Sequence, residues 1–166
     1  MKSSANIALL ACGGTIDKDY NVLNGELEFT QTYLTELLKQ ARHQLDLRFE
    51  TLMLKDSLDM TQNDRQQVLE ACLNAPEQQI VITHGTDTLT QTAEFLADQI
   101  GAQKTIVLTG AMRPFRLAES DASFNLGAAL MAVQTTRPGV YIVMNGRLFE
   151  AHQVQKNRQL GVFEAR

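Results

Sequence analysis

Four short runs of aliphatic and β-branched residues punctuate the chain, at Ile7 to Leu10, Ile80 to Thr83, Thr105 to Thr109 and Val140 to Met144. Each is apolar without alternation, the pattern of a strand covered on both faces at the centre of a parallel sheet. A fifth run, residues 47 to 54, alternates loosely through Leu47, Phe49, Leu52 and Leu54, which predicts a strand nearer an edge. Between these runs the apolar period lengthens to that of a helix. Thr88 and Gln91 stand at capping-box spacing ahead of a stripe of Leu89, Ala93, Leu96 and Ile100, which Gly101 ends. Thr61 predicts the cap of another helix, with Asp64 in its first turn and Val68, Leu69, Cys72 and Leu73 as its buried stripe before Pro76. Residues 121 to 134 and 34 to 41 carry two more such stripes. Strands alternating with helices of this length predict right-handed crossover units. The expected fold is α/β: one three-layer α/β/α domain over residues 1–166, Rossmann or flavodoxin-like, with a mostly parallel sheet.

Composition narrows the class of function. With 44% hydrophobic and 20% charged residues the chain is of ordinary globular type, and a net charge of −4 gives no attraction for nucleic acid or an anionic membrane. No apolar stretch approaches the ~18 residues of a spanning helix. Residues 1 to 12 lead straight into a glycine turn rather than a cleavage pattern, so they read as a first core strand and the protein as cytoplasmic. Cys12 and Cys72 fall within apolar patterns and read as small buried residues, not a disulfide framework.

Two strand ends carry hydroxyl groups. Gly13-Gly14-Thr15-Ile16 follows the first run and His84-Gly85-Thr86-Asp87-Thr88 follows the second, and the carboxyl ends of parallel strands are where open α/β sheets bind ligands. A threonine becomes a nucleophile only beside a base or charged network and an oxyanion site. The adjoining glycines leave backbone N–H groups accessible for such a site. The plainer alternative is a turn threonine at Thr15 and a helix N-terminus rich in capping residues at Thr86 and Asp87. Asp87 is expected to stay ionised there, since the helix dipole favours its charge. The polar stretch from Asp17 to Glu28 reads as a long loop beside the sheet edge, a candidate lid. His43, His84 and His152 lack metal spacing, so no metal is expected, and His84 reads as an anchor for its turn. Met60, Met112 and Met144 read as core fillers. Phosphate binding through Gly13-Gly14 is disfavoured, because neither G-x-G-x-x-G nor a G-K-S/T ending is present.

Taken together, Gly13-Gly14-Thr15-Ile16, His84-Gly85-Thr86-Asp87-Thr88 and Thr109-Gly110-Ala111-Met112-Arg113-Pro114 resemble the bacterial-type L-asparaginase and glutaminase family. The likeness runs from the first strand to Phe163 and covers the N-terminal domain of the usual two-domain members, so the second domain is expected to be absent. The resemblance implies an amidohydrolase that converts L-asparagine to L-aspartate and ammonia, with Thr15 as nucleophile and Thr86, Asp87 and Lys156 as a second catalytic group. It further implies Tyr20 in the lid beside the nucleophile, and Gly14, Ser57, Gly85, Thr86 and Asp87 as substrate-binding, with Ser57 on the α-carboxylate and Asp87 on the α-ammonium. No metal or organic cofactor is implied. The chain departs from the family at Leu58, where a polar residue is common, and at Asn157-Arg158-Gln159, where further threonines are usual. Lys156, beside an ionised Asp87, is expected to organise charge before it accepts a proton. The alternative function is a weakly active or inactive regulatory module that binds aspartate or a similar amino acid. Because relatives complete the pocket across a subunit interface, a homodimer is expected.

Overall fold

The computed structural model describes residues 6–166. A six-stranded sheet forms its centre, built from β1 (Ile7–Gly13), β4 (Leu47–Lys55), β5 (Gln79–Thr83), β6 (Thr105–Thr109), β7 (Gly139–Met144) and β8 (Arg147–Glu150), in the order β4-β1-β5-β6-β7-β8. The first five are parallel and β8 pairs antiparallel with β7. Four helices link the strands: α1 (Leu34–Ala41), α2 (Gln62–Asn74), α3 (Leu89–Ile100) and α4 (Ala122–Thr135). β4 pairs only with β1, which makes it the edge strand that its loose alternation predicts.

Each sheet face has its own core. Ile7, Leu9, Ala11, Val81, Val107 and Tyr141 pack against α1 and α4, while their neighbours Ala8, Leu10, Ile80, Ile82, Ile106 and Leu108 pack against α2 and α3. Alternate residues of one continuous apolar run therefore feed opposite cores, which is why these strands lack the polar alternation of a one-sided sheet. The chain runs outward from β1 to β4, then returns to the far side of β1 for β5. That reversal makes the carboxyl ends of β1 and β5 a topological switch point, the place where doubly wound sheets bind ligands in a crevice. The register levels these ends, pairing Ala11 with Thr83 and Thr83 with Thr109.

Three local readings differ from the sequence expectation. Thr88 sits at the N-cap of α3 but makes no side-chain capping bond; its hydroxyl donates instead to the Ser57 carbonyl at 2.8 Å and accepts from Arg65 at 3.0 Å. The capping box belongs to α2, where Thr61 and Asp64 bond reciprocally. Leu73 and Met112 are exposed rather than buried, Leu73 because it falls outside the 65, 68, 69, 72 stripe of α2. Asp17 to Glu28 is not an aperiodic loop: β2 (Asp19–Tyr20) and β3 (Leu27–Glu28) pair as a small antiparallel ladder. The chain ends in a second small ladder, β9 (Val154–Asn157) with β10 (Val162–Ala165), pinned by Val154 and Phe163 in the α2/α3 core.

Candidate active site

The two glycine turns meet backbone to backbone. Gly14 has φ +80°, and a Cβ there would lie 2.5 Å from the Gly85 Cα and 2.8 Å from the His84 carbonyl carbon. Gly85 is confined in turn by Ser57, whose Cβ and Oγ would stand 2.7 and 2.8 Å from a Gly85 Cβ. The segments bearing Thr15, Thr86 and Ser57 are thus stacked with no room for side chains between them. Thr15 opens a 3-10 turn after Gly14 and is partly exposed, and its hydroxyl makes no hydrogen bond among the described residues. Ser57 is buried and its Oγ accepts from the Thr88 backbone N–H at 3.1 Å.

Lys156 joins this group from 70 residues away along the chain. β9 brings it to the N-terminal end of α3, where its ammonium donates to Thr86 Oγ1 and Asp87 Oδ1, both at 2.8 Å. Lys156 holds the Asp87 carboxyl below its ordinary value, chiefly through this hydrogen bond, and Arg158 adds to the effect. Thr86 Oγ1 accepts from the lysine, so its own proton is free to donate into the crevice.

The turn beneath these residues rests on a neutral imidazole. His84 is fully buried, and burial lowers it from 6.5 to about 4. Its Nδ1 lies 2.8 Å from the Gly85 carbonyl, which can only accept, so Nδ1 carries the proton. Nε2 must then accept from the Thr92 hydroxyl, also at 2.8 Å, and Thr92 in turn accepts from Arg65 Nε at 3.1 Å. Buried Arg65 ties α2 to this network through Thr88, Thr92 and the Met60 carbonyl. Its signal in the sequence was a charged residue on the apolar stripe of α2, one turn before Val68 and Leu69.

The site residues expected from sequence are thus placed in two groups. Gly14, Ser57, Gly85, Thr86, Asp87 and Lys156 are linked by contact or hydrogen bond, with Thr15 adjoining Gly14. Tyr20 stands apart on the β2–β3 ladder, half exposed, with its hydroxyl near Gly25 and no hydrogen bond to Thr15. Arg158 was not expected there: its guanidinium donates to Asp87 Oδ1 at 2.7 Å and to the Asp87 carbonyl at 3.1 Å. Leu58, beside Ser57, is exposed. Among the described residues no group of three His, Cys, Asp or Glu side chains is placed to hold a metal, and no helix is long and apolar enough to cross a membrane.

Residues 6–163 match the family described as asparaginase, N-terminal. The chain belongs to this family. It is 31% identical over 168 residues to a probable periplasmic L-asparaginase of Haemophilus influenzae, covering 95% of this chain and 48% of that one. It is 30% identical over 164 residues to one of the subunits of a glutamyl-tRNA(Gln) amidotransferase of Methanococcus vannielii, covering 93% of this chain and 38% of the other. The structure of a probable cytoplasmic L-asparaginase from Campylobacter jejuni superposes with a TM-score of 0.83 at 31% identity, over 97% of this chain and 53% of that one. The chain therefore spans about half the length, or less, of these asparaginase-family relatives. Their mostly parallel α/β fold is the one found here.

Proposed function

We propose that this chain hydrolyses the side-chain amide of L-asparagine through a threonine nucleophile. The observation that carries the reading is Lys156, whose ammonium bonds Thr86 and Asp87 together at the mouth of the two stacked glycine turns. In this scheme Thr15 Oγ adds to the amide carbonyl, and backbone N–H groups of the Gly85 turn face the developing oxyanion, the Gly14 N–H being held by the Lys55 carbonyl at 2.9 Å. The hydroxyl proton passes to the amide nitrogen, the C–N bond breaks, and ammonia leaves an ester on Thr15. Water then cleaves the ester, restoring the hydroxyl and releasing aspartate. Ser57 and Asp87 hold the substrate's α-carboxylate and α-ammonium, while the Lys156 charge polarises Thr86 and keeps Asp87 ionised. Tyr20, on the β2–β3 ladder, serves as a lid residue. No cofactor enters these steps. The likeness to the Campylobacter jejuni protein supports a cytoplasmic setting, and a second copy of the chain closes the open side of the crevice.

A second reading, an amino-acid-binding module of little activity, is favoured by the occupation of Asp87 by Arg158. An ammonia-release assay on L-asparagine, L-glutamine and their D-forms separates the two. Hydrolysis should fall by about 10²-fold or more in Thr15→Ala and in Thr86→Val. Aspartate binding without turnover would establish the second reading, and full turnover in Thr15→Ala would overturn the first.

A further inference from the structure

Asp87 is the anion that the proposed reading assigns to a substrate ammonium, yet it already holds two cations. Its Oδ1 accepts from Lys156 Nζ at 2.8 Å and from Arg158 at 2.7 Å, and its main-chain carbonyl accepts from the same guanidinium at 3.1 Å. One carboxylate facing a lysine and an arginine leaves this corner of the site with a formal charge of +1. Lys156 is nearly buried, so its charge is poorly screened by water.

Arg158 is presented by a built turn rather than a loose end. It follows β9, and the Asn157 side-chain oxygen accepts from the backbone N–H groups of Gln159 and Leu160, both at 3.1 Å. Val154 and Phe163 anchor the two strands in the core. The Arg158–Asp87 pair is largely exposed and is weak as a bond. The position of the charge matters more. Bonded to Asp87 at 2.7 Å, the guanidinium repels a second cation brought to the same carboxylate.

We infer that Arg158 sets the substrate class of this site, favouring ω-amides of dicarboxylic acids that carry no α-ammonium, such as succinamate, over asparagine. Such a molecule keeps the amide for the threonine and the far carboxylate for Ser57. Its neutral α-carbon leaves the Arg158–Asp87 pair in place, and its single negative charge balances the +1 corner. Asparagine brings the same carboxylate with an ammonium that must share Asp87 with two cations already bonded to its Oδ1, and that meets the Arg158 charge at close range. The reaction is otherwise that proposed above: the amide C–N bond breaks, ammonia leaves with the hydroxyl proton, and water releases the free diacid. This inference rests on the amidohydrolase reading for its chemistry, but its recognition step can be measured without turnover.

The experiment measures ammonia release from succinamate and from L-asparagine by the full chain and by Arg158→Ala, alongside calorimetry with the products succinate and L-aspartate. Succinamate should be preferred by at least tenfold in kcat/KM, and the preference should shrink at least tenfold in Arg158→Ala, mainly through a lower KM for asparagine. A smaller preference, or one that Arg158→Ala leaves unchanged, overturns the inference while leaving the amidohydrolase reading intact. If neither amide releases ammonia, that reading falls and calorimetry decides the role of Arg158. Tighter binding of succinate than aspartate, reversed in Arg158→Ala, then supports it; equal or weaker binding of succinate overturns it.

Discussion

Acidification probes the neutral imidazole on which the turn bearing Thr86 and Asp87 is built. His84 has both ring nitrogens engaged, one with the Gly85 carbonyl and one with the Thr92 hydroxyl, in a fully buried site near the Arg65 guanidinium. Burial is the main reason its pKa drops from 6.5 to about 4, and Arg65 adds to the effect. In the unfolded chain the same ring takes a proton near its ordinary value. A histidine depressed in this way contributes stability that is whole above that value and drains as pH falls toward the folded one. At about 1.36 kcal/mol for each pH unit between the two values, the full effect is on the order of 3 kcal/mol, most of which is gone by pH 4.5. That is a large share of the ~5–15 kcal/mol that holds a domain folded.

Other groups titrate too. Asp64, Glu77 and Asp87 have lowered pKa values, so their contributions are lost only as pH falls below the ordinary carboxylate range. Asp17 is raised by burial and acts in the opposite sense, since protonation relieves its penalty. The comparison that isolates His84 is with His84→Gln, whose amide offers one donor and one acceptor at the same places but does not titrate. Urea unfolding followed by circular dichroism suits a chain without tryptophan. Between pH 7.5 and 4.5 the wild type should lose about 2–3 kcal/mol more than His84→Gln. Stability curves that stay parallel within about 0.5 kcal/mol would refute the argument, because they would mean the imidazole takes its proton equally well folded and unfolded.

Gly14→Ala should cost about 2–5 kcal/mol in the same unfolding assay, because the new Cβ meets the Gly85 backbone at a positive φ. Gly127→Ala is the contrasting control, an exposed helical position with open space around it, and should stabilise by about 0.5–1 kcal/mol. A cost under 1 kcal/mol for Gly14→Ala would show that the two turns are not in the contact described. Light scattering at micromolar concentration should give a dimer. A monomer with full activity would refute the proposed closure of the crevice by a second copy.

Much of the architecture was legible along the chain because its signals are local. A strand buried on both faces must be apolar at every position, so Ile80 to Thr83 and Thr105 to Thr109 announce themselves by composition alone. The stripe of α3 and the glycine that stops it are equally local, within 13 residues of each other. The role of Thr88 is not local, for the converse reason. Capping and a long-range bond to Ser57 draw on the same hydroxyl, and only the approach of residue 57 decides between them.

The alternation of strands and helices, the two glycine turns at strand ends and the hydroxyls that follow them are written locally along the chain, because each depends on neighbours a few positions away. What those hydroxyls meet depends on the packed fold. Lys156 reaches Thr86 and Asp87 across about 70 residues, and Arg65 reaches His84 through Thr92 from another helix. Arg158 lands on Asp87 because Val154 and Phe163 bury the flanks of its hairpin in the core. Spacing along the chain carries no record of such pairings, since the packing of apolar residues elsewhere brings the charges together.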